Sequence, residues 1–219
     1  MKLALFDLDG TLLKGDSDHA FGEFLIREGL ADGDAYRRRN DDFYADYQAG
    51  RLDIHAYVEF CTAPWRALPL ADQAELQRRF VRDVIAPELH PAALALVKRH
   101  QQAGDRVAIV TATNDFITRP VADAFGVAEL IATELQRDGS GRATGAIHGV
   151  PSFRDGKITR VEQWLGAPLA SVERSTFYSD STNDLPLLDR VSHPVATNPG
   201  AGLRAEALRR GWPILDLFA

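Results

Sequence analysis

The sequence MKLALFDLDGTLL, residues 1–13, contains an apolar run that leads into two carboxylates and a glycine. Residues 3–8 follow Lys2 and precede Gly10, a pattern typical of a strand that is buried on both faces and ends in a tight turn. Strands of this kind occur in parallel sheets whose faces are covered by helices. The stretch therefore predicts an α/β fold, with Asp7 and Asp9 at the carboxyl end of the first strand.

The pattern changes along the rest of the chain. Residues 16–85 carry apolar side chains at helix spacing and no convincing strand. Beyond residue 86, helical patterns alternate with short apolar runs, which is typical of a doubly wound parallel sheet. We expect further strands at 106–110, 131–135, 175–178, 194–196 and 213–215, helices at 92–102, 116–125, 161–165 and 185–188, and a hairpin or two at 144–158.

This order of elements predicts two structural units. One is a Rossmann-like catalytic core formed by residues 1–15 and 86–219. The other is a small all-helical cap, residues 16–85, inserted after the first strand. Ligands of a doubly wound sheet bind beyond the carboxyl ends of its strands, so the cap would lie over the ligand site.

Composition excludes several classes of protein. The chain has 219 residues, 45% of them hydrophobic and 26% charged, which is enough for a sizeable core. Its net charge of −6 argues against a general nucleic-acid binder, which needs a basic face. Cys61 stands alone, so no intrachain disulfide is available.

No apolar run of about 18 residues predicts a membrane span, and Asp7 comes too early for a signal peptide, so we expect a cytoplasmic protein. Oligomeric state does not follow from the sequence.

Four polar clusters are each predicted to follow a strand. They are Asp7-Leu8-Asp9-Gly10-Thr11, Thr111-Ala112-Thr113-Asn114, Gly156-Lys157 and Asp180-Ser181-Thr182-Asn183-Asp184. In a parallel sheet, three of these strand ends meet at one crevice, and Lys157 would reach it from the hairpin and helix that precede the last of them. We therefore expect the four clusters to form one site.

The first and last clusters predict a metal site. Asp7 and Asp9 are two residues apart, so on a regular strand they share a face and repel each other unless a cation or a proton intervenes. Mg²⁺ prefers oxygen ligands and usually binds through one or two carboxylates, with waters and substrate phosphate completing its shell. Asp7 and Asp180 fit as carboxylate ligands, and the backbone carbonyl of Asp9 fits as a third.

The same residues suit phosphoryl transfer. A phosphoryl group in transfer spreads its charge over its outer oxygens, and Mg²⁺, Lys157 and the Thr111 hydroxyl would neutralise and position it. A carboxylate next to the phosphorus can attack it and divide one difficult displacement into two easier ones. Asp7 is the predicted nucleophile, which leaves Asp9 to protonate the leaving oxygen and then to activate water.

Each cluster also has a purely structural interpretation. An Asp-x-Asp-Gly turn can be a capped loop, a threonine after a strand can cap a helix, and Gly-Lys in a hairpin can be a solvated turn. Asp180 and Asp184 can cap the helix that follows them. The presence of all four clusters in this order favours the functional interpretation.

The chain resembles the haloacid dehalogenase superfamily, in the branch that contains phosphoserine phosphatase. Residues 6–12, FDLDGTL, match the first family motif, Val110-Thr111 the second, Lys157 the third, and Asp180 with Asp184 the fourth. The resemblance implies a magnesium-dependent phosphatase that acts on a small phosphorylated metabolite. It implies these roles: Asp7 as nucleophile, Asp9 as acid and base, Thr111 and Lys157 as phosphate binders, Asp180 as metal ligand, and Asp184, Thr11 and Asn183 as supporting residues.

The substrate is less well defined by the resemblance. Ser179 stands where the family commonly has glycine, and Ala112-Thr113-Asn114 replaces the glycine pair that phosphoserine phosphatases have after the second motif. Asp16 lies where those enzymes place a carboxylate that binds the substrate ammonium, although Asp16 or Ser17 can also simply cap a helix. The candidate substrate-binding residues are Asp16, Ser17, Asp18, Thr113 and Asn114.

Two substrates follow from these candidates. Phosphoserine needs a cationic clamp for its carboxylate, for which Arg51 and residues 37–39 are candidates only. Histidinol phosphate needs no such clamp. Phe21, Tyr44 and Tyr47 are available to pack on its imidazole, although aromatic residues on helices are more often part of a core. Both substrates stay open at this point.

Three other classes of protein use similar residues. A signalling receiver domain also accepts phosphate on an aspartate, but it is much shorter and lacks a helical insertion after its first strand. A phosphotransferase or mutase on this fold begins with the same aspartyl-phosphate, so the motifs do not separate it from a phosphatase. A binding module without activity is disfavoured because no motif residue is missing.

Overall fold

A six-stranded parallel sheet forms the centre of the computed structural model, which describes all residues 1–219. Its strands are β1 (Lys2–Phe6), β2 (Arg106–Asn114), β3 (Glu129–Thr133), β6 (Arg174–Ser179), β7 (His193–Thr197) and β8 (Ile214–Leu215), and a separate hairpin is formed by β4 (Leu135–Arg137) and β5 (Ala143–Ile147). The spatial order is β3-β2-β1-β6-β7-β8, with every neighbouring pair parallel. The predicted doubly wound sheet is confirmed, with β1 at its centre.

Helices cover both faces of the sheet because side chains of each strand alternate between them. The bounds are α1 (Ser17–Arg27), α2 (Gly33–Gln48), α3 (Ile54–Thr62), α4 (Leu70–Phe80), α5 (Pro91–Gln102), α6 (Asp115–Ala124), α7 (Asp155–Leu165), α8 (Leu185–Leu188) and α9 (Ala201–Arg210). On β1, Ala4 and Phe6 face a cluster that includes α5 and α6, whereas Leu3 and Leu5 face one that includes α7, α8 and α9. None of the helices is long and apolar enough to cross a membrane.

The elements between β1 and α5 are all helical, as the periodicity predicts. Helices α1 to α4 are followed by a π-helical turn, Val81–Ile85, and a short 3₁₀ turn, Ala86–Glu88. The cap boundaries, residues 16–85, stay a prediction. This insertion shares a hydrophobic cluster with one face of the sheet: Trp65 stacks on Phe116 of α6 with ring centroids 3.7 Å apart, and both side chains are buried.

Phe21 belongs to this shared cluster and not to a substrate site. Its ring lies edge-on to Phe80, 4.9 Å between centroids, and it also contacts Phe116. The prediction that Phe21 packs on a substrate ring is therefore wrong. The spacing of an apolar residue on a helix does not show whether it faces a core or a cavity, and here it faces the core.

The region predicted as a hairpin or two, residues 144–158, is different in the structure. The hairpin runs from Leu135 to Ile147, and α7 begins at Asp155, so Lys157 lies in the first turn of a helix. Ser152 fixes the loop before α7, because its hydroxyl donates to Ile131 O at 3.0 Å. A Cβ on Gly156 would lie 2.1 Å from Pro151 O, so only glycine fits there. Gly156 and Asp155 therefore start a helix instead of forming a hairpin turn.

Strand β2 is longer than the predicted 106–110. It continues to Asn114, with an irregular register against β3 between Val110 and Asn114. The second polar cluster therefore lies in the last residues of the strand and not after it. Irregularities of this kind re-aim side chains at the rims of sheets, next to sites.

Candidate active site

The carboxyl ends of β1, β2 and β6 bring the predicted catalytic residues together. Asp7 follows β1, Thr111 lies near the end of β2, and Asp180 follows β6. Lys157 enters this group from α7, where its Nζ lies 2.8 Å from Asp7 Oδ1 and 2.8 Å from Asp184 Oδ2. The four clusters thus form one site.

Lys157 is a buried cation held between two buried carboxylates. Burial alone would lower the pKa of Lys157, but the carboxylates of Asp184 and Asp7 raise it, so the amine stays protonated. Ser179 completes this network, because its hydroxyl donates to Asp184 Oδ2 at 2.7 Å. The serine that replaces the family's glycine therefore helps to hold Asp184.

Asp9 is positioned by two hydrogen bonds. The backbone N–H of Ser17 donates to its Oδ1 at 2.6 Å, and the Thr113 hydroxyl donates to its Oδ2 at 3.0 Å. Burial, with a further contribution from the charge of Asp16, raises the pKa of Asp9 to about 7. A carboxyl group with such a pKa can give and take a proton near neutral pH, as a general acid and base must.

Asp7 and Asp180 lie in surroundings with an excess of negative charge. Burial raises the pKa of Asp7 to about 7; Lys157 opposes this rise and Asp184 adds to it. Burial and the charges of Asp7 and Asp184 also raise the pKa of Asp180. Lys157 contacts two of these carboxylates, Asp7 and Asp184, whereas Asp180 forms no salt bridge. The group therefore has a deficit of positive charge.

This donor set fits a hard divalent cation. A Cβ on Gly10, whose φ is +74°, would lie 2.3 Å from Asp180 Oδ2, so glycine keeps the space beside this oxygen open. Thr11 donates to the other oxygen, Oδ1, at 3.2 Å. No three His, Cys, Asp or Glu side chains form a ready-made cage. That arrangement suits Mg²⁺, which takes few protein carboxylates and completes its shell with phosphate oxygens and water.

Residues of the insertion reach the catalytic loop after β6. Asn183 Nδ2 donates to the backbone carbonyl of Tyr47 at 2.9 Å, and a Cβ on Gly50 would lie 2.6 Å from an Arg154 side-chain nitrogen. Arg154 has a positive φ of 52°, which is rare for a residue other than glycine. Asn183 thus supports the site by joining the loop after β6 to the end of α2.

A cavity that is partly open to solvent adjoins Asp7, Asp9 and Thr111. Asp16 and Asp18 line it, and no lysine or arginine does. The arginines considered as a carboxylate clamp are exposed: Arg51 pairs with Asp46 and Arg37 with Glu23. The remaining lining residues are His19, Asn40, Phe43, Tyr44, Tyr47, Leu52, Ile54, Tyr57, Ala112 and Thr113. The cavity is therefore acidic and aromatic.

The predicted substrate-binding residues divide into two groups. Asp16, Asp18 and Thr113 line the cavity, whereas Ser17 and Asn114 do not. Asn114 caps α6 by accepting from Ile117 N at 3.3 Å, so the structure does not support its predicted contact with substrate. Ser17 is buried and acts through its backbone N–H on Asp9.

Asp16 fits both of its predicted interpretations. Its Oδ1 accepts from His19 N at 2.8 Å, which caps α1, and its side chain also lines the cavity. Asn40, Phe43, Leu52, Ile54 and Tyr57 line the cavity and were not predicted as substrate-binding residues. The four of these residues that lie on α2 and α3 have the spacing of an ordinary helical core face, and Leu52 lies in the loop between the two helices, so the sequence carries no separate signal for them.

The chain matches known proteins over nearly its whole length. The model of the haloacid dehalogenase-like hydrolase family matches residues 4–189. The chain is 46% identical over 217 residues to a histidinol-phosphatase of Neisseria meningitidis serogroup C (strain 8013), covering 98% of each protein. It is 31% identical to the phosphoserine phosphatase SerB1 of Mycobacterium tuberculosis, covering 97% of this chain and 70% of that protein.

Solved structures have the same fold. A protein of unknown function from Bordetella pertussis Tohama I is 49% identical, with a TM-score of 0.91 and 99% of each chain covered. A substrate-bound phosphoserine phosphatase has a TM-score of 0.68 at 16% identity, with 98% of this chain and 92% of that chain covered. At that identity, the second likeness shows the fold alone.

Proposed function

Since this chain belongs to the haloacid dehalogenase-like hydrolase family and is a phosphatase, we propose that it hydrolyses histidinol phosphate through an aspartyl-phosphate on Asp7. The observation that carries this proposal is the cavity beside Asp9, which contains Asp16 and Asp18 and no lysine or arginine. Histidinol phosphate has an ammonium group and an imidazole but no carboxylate, so its charges complement such a cavity. The relative that is 46% identical and named a histidinol-phosphatase also supports it.

The residues that fit Mg²⁺ are the side chains of Asp7 and Asp180 and the backbone carbonyl of Asp9. When bound there, the ion would neutralise part of the charge on the transferring phosphoryl oxygens. Asp184 and Lys157 would keep Asp7 in place, because Lys157 contacts both carboxylates. Thr111 lines the same cavity as Asp7, and its hydroxyl would bind a phosphate oxygen.

The reaction has two displacements. In the first, an Asp7 oxygen forms a bond to phosphorus while the bond from phosphorus to the alcohol oxygen breaks, and Asp9 gives its proton to that oxygen. In the second, Asp9 takes a proton from water as the water oxygen bonds to phosphorus and the bond to Asp7 breaks. Inorganic phosphate leaves, and both aspartates return to their starting states.

Phosphoserine is the less favoured substrate because of its carboxylate. That group would enter the cavity next to Asp16 and Asp18 without a cationic side chain to receive it. Like charges repel, and the phosphoserine carboxylate would lack a hydrogen bond of the charged kind, which contributes about 1.5 to 3 kcal/mol. The chain should therefore prefer the amino-alcohol ester.

A comparison of three esters tests the proposed substrate. With Mg²⁺ present, we expect kcat/KM for histidinol phosphate to exceed that for phosphoserine by about 10- to 100-fold, which follows from the energies above. Release of inorganic phosphate is measured for both, with p-nitrophenyl phosphate as a check that the enzyme is active. A ratio of one or less would contradict the proposal. The same assay separates hydrolysis from phosphoryl transfer. A phosphatase releases one inorganic phosphate for each ester cleaved, whereas a phosphotransferase or mutase passes the phosphoryl group to a second alcohol.

Replacement of the acid and base should have a graded effect. We expect Asp9→Asn to lower kcat by about 10²- to 10⁴-fold on histidinol phosphate, because an alkoxide leaves poorly without a proton. The loss on p-nitrophenyl phosphate should be smaller, since nitrophenolate leaves readily. Initial rates of both esters are compared with those of Thr113→Val, which keeps the carboxyl group and loses one hydrogen bond to it. Equal losses on both esters in Asp9→Asn would contradict the acid role.

A further inference from the structure

Asp18 is a buried carboxylate without an internal counterion. Its side chain lines the cavity, the residue is only 7% exposed, and its buried Oδ1 has no hydrogen-bond partner. The hydroxyl of Tyr57 lies beside it, and no lysine or arginine contributes to its surroundings. A buried carboxyl oxygen of this kind is unfavourable unless a hydrogen-bond donor completes it.

Three carboxylates, Asp9, Asp16 and Asp18, line the same cavity. Asp16 is the charged neighbour that raises the pKa of Asp9, after burial itself. Burial raises the pKa of Asp18, and among the neighbouring charges Asp16 contributes more than Asp9. Asp16 is thus a charged neighbour of both Asp9 and Asp18.

The surroundings of Asp18 also suit a flat ring. Tyr57 and Phe43 line the same cavity and pack edge-on with centroids 5.2 Å apart. Tyr44 and His19, also lining residues, have centroids 5.7 Å apart, and Asn40 Nδ2 lies 3.2 Å from His19 Nδ1. Aromatic walls with one buried acceptor favour a ligand with an aromatic face and an N–H donor.

We propose that Asp18 determines specificity by accepting a hydrogen bond from the imidazole N–H of the substrate, while Asp16 receives the ammonium group. This inference rests on the proposed function. In histidinol phosphate the carbon that bears the ammonium group is two bonds from the ester oxygen, and the imidazole lies beyond it. Beyond the ester oxygen the substrate thus has two groups that can donate hydrogen bonds, and beside Asp9 the cavity has two carboxylates, of which Asp18 lies beside the aromatic residue Tyr57.

The chemistry of imidazole agrees with this assignment. A neutral imidazole has one N–H donor and a protonated imidazole has two, so a carboxylate can accept from either form. A hydrogen bond that involves a charged group contributes more binding free energy than a neutral one. Asp18 would therefore favour esters that have the ring over esters that lack it.

The test uses Asp18→Asn and Asp16→Asn, which keep the shape of each side chain and remove its charge. The substrates are histidinol phosphate, phosphoethanolamine, which has an ammonium group and no ring, and imidazolylethyl phosphate, which has a ring and no ammonium group. We expect Asp18→Asn to lose about tenfold or more in kcat/KM on both ring-bearing esters, and far less on phosphoethanolamine. Asp16→Asn should lose most on the two ammonium-bearing esters.

Stability separates this role from a structural one. Because Asp18 is an unpaired buried carboxylate, Asp18→Asn should have a Tm equal to or above that of the wild type. Asp42→Asn is the matched control, since Asp42 is an exposed residue of the same insertion that does not line the cavity, and its kinetics should be unchanged. Calorimetry with histidinol should show weaker binding to Asp18→Asn than to the wild type.

The outcomes distinguish the two proposals. Equal losses on all three esters, or a lowered Tm in Asp18→Asn, would overturn the specificity role of Asp18. If the wild type hydrolyses histidinol phosphate well and Asp18→Asn does so equally well, this inference alone fails. If the wild type hydrolyses phosphoethanolamine but not histidinol phosphate, the proposed function fails.

Discussion

Asp7→Asn should reduce phosphatase turnover by more than about 10⁴-fold, because removal of an enzyme's nucleophile can cost as much as about 10⁶-fold in kcat. The asparagine amide keeps the shape of Asp7 but is a poor nucleophile toward phosphorus. Lys157 keeps its second partner, Asp184, at 2.8 Å, so the buried ammonium is not left unpaired. The expected loss is therefore in kcat, with the fold retained.

The measurement combines kinetics with a trapping experiment. Steady-state rates are determined on histidinol phosphate and p-nitrophenyl phosphate, and circular dichroism checks the fold. Acid-quenched wild-type enzyme should carry phosphate that is labile to hydroxylamine, and Asp7→Asn should carry none. Turnover by purified Asp7→Asn above about 1% of the wild-type rate would be inconsistent with the covalent mechanism. Removal of the nucleophile is expected to lower turnover far more than that.

Removal of divalent metal should have a comparable effect. Charge stabilisation by a bound ion is worth several kcal/mol, so dialysis against EDTA should lower the rate by about 10³-fold or more. Mg²⁺ should restore activity, and Ca²⁺ should do so poorly because it prefers more ligands in looser geometry. Phosphate release with each added ion gives the measurement.

A binding readout makes the metal prediction independent of turnover. Mg²⁺ should raise the Tm of the wild type, because a ligand that binds only the folded state stabilises it. The same addition should have little effect on Asp180→Asn, which loses one of the two carboxylates that fit the ion. Full activity after EDTA treatment, or an equal Tm shift in both proteins, would contradict the site formed by Asp7 and Asp180.

Much of the fold follows from local sequence patterns. The buried central strand, the alternation of helices and strands after residue 86 and the helical insertion were all predictable. The hydrophobic period of a segment and its turn residues can both be read from a short stretch of sequence. Lys157 was placed in a hairpin turn because Asp155 and Gly156 usually mark turns. What makes them start α7 is the close approach of Gly156 to Pro151 O, a contact that depends on the folded loop.

The catalytic residues were more predictable than the substrate cavity. Asp7, Asp9, Thr111 and Asp180 all lie on or directly beyond carboxyl ends of parallel strands, so one topological rule brings them together. The cavity wall comes from faces of α2 and α3, where Phe43 and Tyr57 have the same spacing as core residues. Only the packing of the insertion on the sheet decides which aromatic side chains border open space.

The stacking of Trp65 on Phe116 affects how the cavity can exchange its contents with solvent. Lifting the whole insertion from α6 would expose both rings, at about 2 kcal/mol for each side chain. By contrast, the end of α2 contacts the catalytic loop through polar contacts of Tyr47, whose carbonyl accepts from Asn183 and whose hydroxyl lies beside Ser181. Local opening of that end of α2 therefore costs less free energy than lifting the whole insertion. The amides at the end of α2 should exchange with deuterium well before those of α4, and product should depart there.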